Sequence, residues 1–153
     1  MKLTDVLSEA AVLPELRGQT KGEVVRELAM HLAAAHPGID ATRLEGVLWE
    51  RERLGSTAIG DGIAIPHGKL PGLVGVIGAF ARHPTGVDFD ALDGRPSKLF
   101  FVLVAPDDSV GQHLKALARV SRLLRDAGFR DRLVASADRT SLYRAIKEED
   151  DKY

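Results

Sequence analysis

The chain of 153 residues contains no cysteine. That excludes disulfides, thiolate nucleophiles and cysteine-based zinc sites, and it suits a reducing compartment. A net charge of either sign is also missing: 21 Lys and Arg against 22 Asp and Glu leave a formal charge of −1. Without a basic excess there is no electrostatic footprint for nucleic acid. No apolar run approaches the roughly 20 residues that span a bilayer. The N-terminus "MKLTDVLSEAAVLPEL" is interrupted by Asp5, Glu9 and Pro14, so it does not read as a secretion signal. These absences point to a soluble, cytoplasmic protein with no membrane insertion. Aromatic residues make up only 5%, but a hydrophobic fraction of 44% is ample for one core in a chain of this length.

What is present has the layout of one α/β domain. Residues 20–35 carry an apolar stripe of Val24, Val25, Leu28, Ala29 and Leu32, with Thr20 and Glu23 as a capping box and Pro37-Gly38 as the stop. A second helix is expected from about Ala41 to Arg53, capped by Asp40 and followed by Gly55. "LVGVIGAFA" and "KLFFVLVAP" read as buried strands. Helical spacing returns over Ser109–Asp126, with Ser109 and Gln112 as a capping box and Gly128 as the stop. A last helix is expected from about Asp138 to Lys147, and "KEEDDKY" reads as a solvated acidic end. Helices on both sides of the strand region predict a mixed β-sheet with helices on both faces.

The glycine-rich stretch "GDGIAIPHGKLPG" at residues 60–72 invites a phosphate-loop reading, and its spacing rejects it. A Walker A loop needs four residues between its glycines and Ser or Thr after the lysine; here five separate Gly62 from Gly68, and Leu70 follows Lys69. Gly72, Gly75 and Gly78 do not give the dinucleotide spacing either, so no nucleotide cofactor is expected. The histidines at 31, 36, 67, 83 and 113 include no His-Glu-x-x-His pair, and no metal site is expected. His31, His36 and His83 read as surface residues.

Two residues stand out beside His67. On a 3.6-residue repeat His113 shares a face with Leu117, Val120 and Leu124, so it begins an apolar stripe in the first turn of its helix. Arg51 ends the stripe of Leu44, Val47 and Leu48 on the second helix. A guanidinium at the edge of a buried face needs a carboxylate or an oxyanion. The pattern fits a structural ion pair and a core histidine. It also fits helpers for phosphoryl transfer to His67, since a neutral imidazole is a nucleophile and the reaction asks mainly for positioning and charge stabilisation. Pro66 would stiffen the hinge, and the flanking glycines would let the backbone approach.

"RERLGSTAIGDGIAIPHGKL" closely resembles the signature of the fructose/mannitol-type enzyme IIA domain of the bacterial phosphoenolpyruvate-dependent phosphotransferase system, nearest to its nitrogen-regulatory branch. The resemblance continues through "GAFARHPTGVDFDALDGRP", "LFFVLVAPDD", "HLKALARVSRLLRD" and "FRDRLVASADRTSLYRAI", over about residues 3–147, leaving 148–153 as the acidic tail. It implies a mixed sheet flanked by helices. It implies His67 as the residue phosphorylated on Nε2, with Arg51 as phosphoryl stabiliser and His113 as second active-site histidine. The donor would be a histidine phosphocarrier protein charged by enzyme I, and the chain a phosphotransferase component with a phosphohistidine intermediate rather than a stand-alone enzyme. Downstream stands either a regulatory target protein or a separate enzyme IIB in sugar transport. Because no IIB or membrane domain is fused to the chain, regulation is the favoured expectation. Ala58 stands where the pattern has glycine, and its methyl is expected to alter the loop backbone. Leu70 and Leu73 are expected either at the rim that meets the phosphocarrier or in the core.

Overall fold

The central strand of the protein is built from "SKLFFVLVA", whose run of buried side chains from Leu99 to Ala105 requires cover on both faces. The computed structural model describes residues 1–153 and supplies that cover. The strands are β1 (Val12–Leu13), β2 (Ala58–Gly60), β3 (Ile63–Ala64), β4 (His67–Lys69), β5 (Ile77–Val87) and β6 (Ser97–Ala105), in one mixed sheet of order β1-β5-β6-β3-β2 with β4 also paired to β6. β5 runs antiparallel to β6 with Phe80 opposite Phe101, whereas β3 and β4 run parallel to it.

Five helices complete the chain: α1 (Lys21–Ala35), α2 (Ala41–Glu52), α3 (Val110–Leu124), α4 (Ala127–Ala135) and α5 (Arg139–Asp150). Phe80 and Phe101 meet Val120, Leu124, Phe129, Leu133 and Ile146, so α3, α4 and α5 cover one face. Phe100, one residue along the pleat, packs edge-on against Phe89 on the other side, where α1 and α2 lie together.

The expected mixed sheet with helices on both faces is thus present, with several local corrections. The capping box at Thr20 and Glu23 forms, and the Asp40 carboxylate accepts from Thr42 N–H. The box expected at Ser109 and Gln112 does not: Ser109 makes no side-chain cap and its hydroxyl turns to Asp108. Gly128 does not stop α3. It lies inside α4, whose start is capped by the Asp126 carboxylate on Gly128 N–H. The acidic end is not solvated throughout: α5 continues to Asp150, and Glu149 and Asp150 are buried. Asp150 is paired with Arg119 at 2.7 Å and also receives Thr4 N–H, fastening α5 to α3 and to the N-terminus.

His83 is a buried residue of β5, not a surface one. Its Nε2–H donates to Gly18 O at 2.8 Å, and Nδ1 accepts from Gly86 N–H at 2.9 Å. The strand continues past Pro84 because the ladder with β6 shifts register between Arg82 and Val87, where a missing N–H is tolerated. His31 and His36 are partly buried, each with a buried Nε2 that has no partner.

Candidate functional site

The site is built where the end of α2, the start of β4 and the start of α3 converge. Gly68 sets that convergence. A Cβ at this position would lie 2.5 Å from Val47 Cγ1 and 3.2 Å from Val47 O, so only glycine lets α2 rest this closely on β4. One turn beyond Val47 the same helix face delivers Arg51 to His67, the first residue of β4. The turn between β2 and β3 places Asp61 and Gly62 at φ of 57° and 78°, and Asp93 holds it by accepting from Asp61 N–H. Ala58 sits in β2 with its buried methyl in the core, and the ladder with β3 shifts register between Ala58 and Gly60.

The neighbours of His67 fix its tautomer. Nδ1 lies 2.7 Å from Ile65 O, which can only accept, and Nε2 lies 3.2 Å from Arg51 Nε, which can only donate. Nδ1 therefore carries the proton and Nε2 the free lone pair. Arg51 is itself held, because Nη1–H donates to Gly55 O at 2.8 Å. Burial pushes the His67 pKa below the ordinary 6.5; the Ile65 hydrogen bond opposes this, Arg51 adds to it, and the Glu52 charge opposes it. The result is a neutral imidazole at neutral pH.

His113 is buried on the first turn of α3 and stands edge-on to His67, with ring centroids 5.6 Å apart and planes at 84°. Its Nε2 has no hydrogen-bond partner, and burial, then the neighbouring His67 and Lys69, lower its pKa. The structure thus brings all three expected residues, His67, Arg51 and His113, to one open cavity of about 390 Å³. Its other walls are Val47, Leu54, Val110, Leu114 and Leu117, with Glu50, Gly68 and Lys69. Leu54 is 84% exposed and Leu114 61%, a large apolar rim for a soluble surface. The rim is not made by Leu70, which is buried in the core, nor by Leu73, which is partly buried against it. No three His, Asp or Glu side chains converge closely enough to hold a metal ion.

One group of residues escaped the sequence reading. At the end of α2 the buried Glu52 carboxylate accepts from the N–H and hydroxyl of Thr57 and pairs with Lys21 at 3.0 Å. The signal was available: Leu44, Leu48 and Glu52 repeat every four residues, so Glu52 falls on a buried row and needs partners there.

Residues 5–149 match the family described as "Phosphoenolpyruvate-dependent sugar phosphotransferase system, EIIA 2". The chain belongs to this family. Within it, the chain is 44% identical over 146 residues to the Nitrogen regulatory protein of Bradyrhizobium diazoefficiens, covering 95% of each. The crystal structure of Nitrogen Regulatory Protein IIA-Ntr from Neisseria meningitidis is similar with a TM-score of 0.88 at 28% identity, over 94% of this chain and 98% of that one. The fold is shared more distantly with enzyme IIA-mannitol of Escherichia coli, solved in complex with phosphorylated enzyme IIB-mannitol. There the TM-score is 0.75 at 19% identity, covering 93% of this chain and 97% of that one. The chain is accordingly an IIA-Ntr-like phosphocarrier. None of its helices is long and apolar enough to cross a membrane.

Proposed function

We propose that His67 accepts the phosphoryl group on Nε2 from a histidine phosphocarrier protein, and that the phosphorylated and free forms act mainly as a regulatory signal in the cytoplasm. The observation that carries this reading is the tautomer: a lone pair on Nε2, facing an open cavity, beside a guanidinium.

In the transfer step the Nε2 lone pair attacks phosphorus, the donor's N–P bond breaks, and that electron pair returns to the donor ring. Positive charge develops on the His67 ring while Nδ1–H keeps its bond to Ile65 O, which stabilises that charge. Arg51 leaves Nε2 and turns its fork onto the phosphoryl oxygens, still anchored toward the turn at Gly55. His113 borders the same space, and the uncapped first turn of α3 brings free backbone N–H groups and a positive dipole end to the cavity wall. These are preorganised donors of the kind that stabilise an oxyanion. The apolar rim of Leu54, Val110 and Leu114 gives a docking protein something to bury. Phosphorylation sets a negative charge beside it, which changes which surfaces can dock.

The likeness to nitrogen regulatory proteins favours regulation. The fold shared with an enzyme IIA in complex with its IIB supports the second reading, delivery of the phosphate to a separate enzyme IIB. The test is a transfer assay with phosphoenolpyruvate, enzyme I and phosphocarrier, run on wild type and His67→Ala. Wild type should be labelled and the variant, still folded, should not; undiminished labelling of the variant would refute the assignment. His113→Ala should be labelled slowly, and a normal rate would make His113 structural. A complex with a target protein that changes on phosphorylation supports regulation, whereas rapid discharge to a IIB supports transport.

A further inference from the structure

The buried carboxylate of Glu52 touches nothing in the cavity, yet it organises the two backbone groups that aim the site. Its Oε1 accepts Thr57 N–H at 3.1 Å, Oε2 accepts the Thr57 hydroxyl, and Lys21 Nζ at 3.0 Å balances its charge. Glu52 and Thr57 are both buried, at 5% and 3% exposure, so these bonds are shielded from water. The carbonyl of the Thr57 they hold accepts Ile65 N–H at 3.0 Å. The carbonyl of Ile65 in turn accepts Nδ1–H of His67 at 2.7 Å. Pro66 restricts Ile65 from the other side, and Leu103 N–H fixes Pro66 O at 3.0 Å. The turn that Glu52 clamps also contains Gly55, whose carbonyl receives Arg51 Nη1–H.

We propose that Thr57, clamped by Glu52, is a positioning residue: through the backbone of Ile65 it holds the His67 ring with its Nε2 lone pair toward the cavity, and through the same turn it holds Arg51 on that lone pair. The proposal rests on His67 as phosphoryl acceptor. The burial of an ion pair at this spot is otherwise costly, since desolvating two charges cancels much of their attraction. A clamp on the turn gives that arrangement a use in geometry.

The experiment compares Thr57→Val, which keeps the shape and removes the hydroxyl, with Thr57→Ser, which keeps the hydroxyl and removes the methyl. Two readouts are taken on each folded variant: the 15N spectrum of the His67 ring, and the rate of phosphoryl acceptance against donor concentration. Thr57→Val should give a mixture of ring tautomers and a maximal rate lower by about tenfold or more. Its KM for the phosphocarrier should be unchanged, because the apolar rim is untouched. Thr57→Ser should restore the single tautomer and the rate. A Thr57→Val protein that is merely less stable, with the wild-type tautomer and rate, overturns the proposal, as does a Ser variant as impaired as the Val variant. Should the Val variant fail to fold, Glu52→Gln keeps the volume and removes the charge. It should shift tautomer and rate in the same direction, and no shift there also overturns the idea. If wild type itself takes no phosphate, the functional reading fails, and the tautomer comparison still decides the positioning claim.

Discussion

Replacing Gly68 by alanine tests how the packing of one helix controls the chemistry of the site. The new Cβ would sit 2.5 Å from Val47 Cγ1 and 3.2 Å from Val47 O. Carbon atoms rest at about 3.5–4.0 Å, so α2 and β4 must separate by about 1 Å. Rotating Val47 gives no full relief, because a β-branched side chain in a helix has essentially one rotamer and its carbonyl does not move with it. Overpacking of this size costs about 1–3 kcal/mol. Arg51 lies one turn further along the displaced helix, so its 3.2 Å bond to His67 stretches beyond hydrogen-bonding range. A displacement of about 1 Å at a reacting group can cost roughly a hundredfold in rate. Urea denaturation gives the first quantity and single-turnover labelling by the phosphocarrier the second. Adding Val47→Ala should recover part of the stability, since one of the two clashes is then gone. A Gly68→Ala protein that loses stability but accepts phosphate at the wild-type rate would refute the link between helix approach and Arg51 geometry.

Four further outcomes are expected. Neutral His67 is the reactive form and burial holds its pKa below 6.5, so the rate of acceptance should be level from about pH 8 to 6.5 and fall only below that; an acid limb centred above 6.5 would contradict the burial argument. His31, His36, His67 and His113 are all shifted down, mainly by burial, so below 6.5 the unfolded chain binds more protons than the folded one. Thermal stability should therefore decline as pH drops from 6.5 through the lower folded values, and a midpoint unchanged over that window would argue against it. Arg51→Lys keeps the charge but cannot hold Gly55 O and meet the phosphoryl oxygens with one fork, so transfer should slow by up to about a hundredfold; an unaltered rate would reduce Arg51 to a point charge. Asp150→Ala leaves Arg119 without its carboxylate in a largely buried position and should cost about 3–5 kcal/mol by denaturation. A loss under about 1 kcal/mol would place that pair among ordinary surface bridges.

Much of this architecture was legible in local pattern. The stripe and capping box of α1, the Asp40 cap of α2 and the apolar run of β6 are signals carried within a few residues. A 3.6-residue repeat also placed Arg51 and His113 each on the apolar face of its own helix, whereas their meeting at His67 was implied only by the family resemblance. What escaped was non-local or turned on one competing bond. β3 and β4 are two and three residues long and exist as strands only through pairing, β3 with β2 and β6, β4 with β6. Gly128 resembles a helix stop, but its N–H donates to the Asp126 cap and opens α4 instead. Pro84 suggests that a strand has ended at His83, and the register shift lets β5 continue. Glu149 and Asp150 look like a solvated run until Lys152, Arg119 and Thr4 are brought to them by the fold.

The central claim is that the tautomer held by Ile65 O makes Nε2 of His67 the phosphoryl acceptor. The most direct test is to charge the intact protein through the phosphocarrier and locate the group by 31P and 15N NMR. One phosphoryl group on Nε2 of His67, with Nδ1 still bonded to the Ile65 carbonyl, is the predicted result. A phosphoryl group on Nδ1 of His67, or on His113, would contradict it.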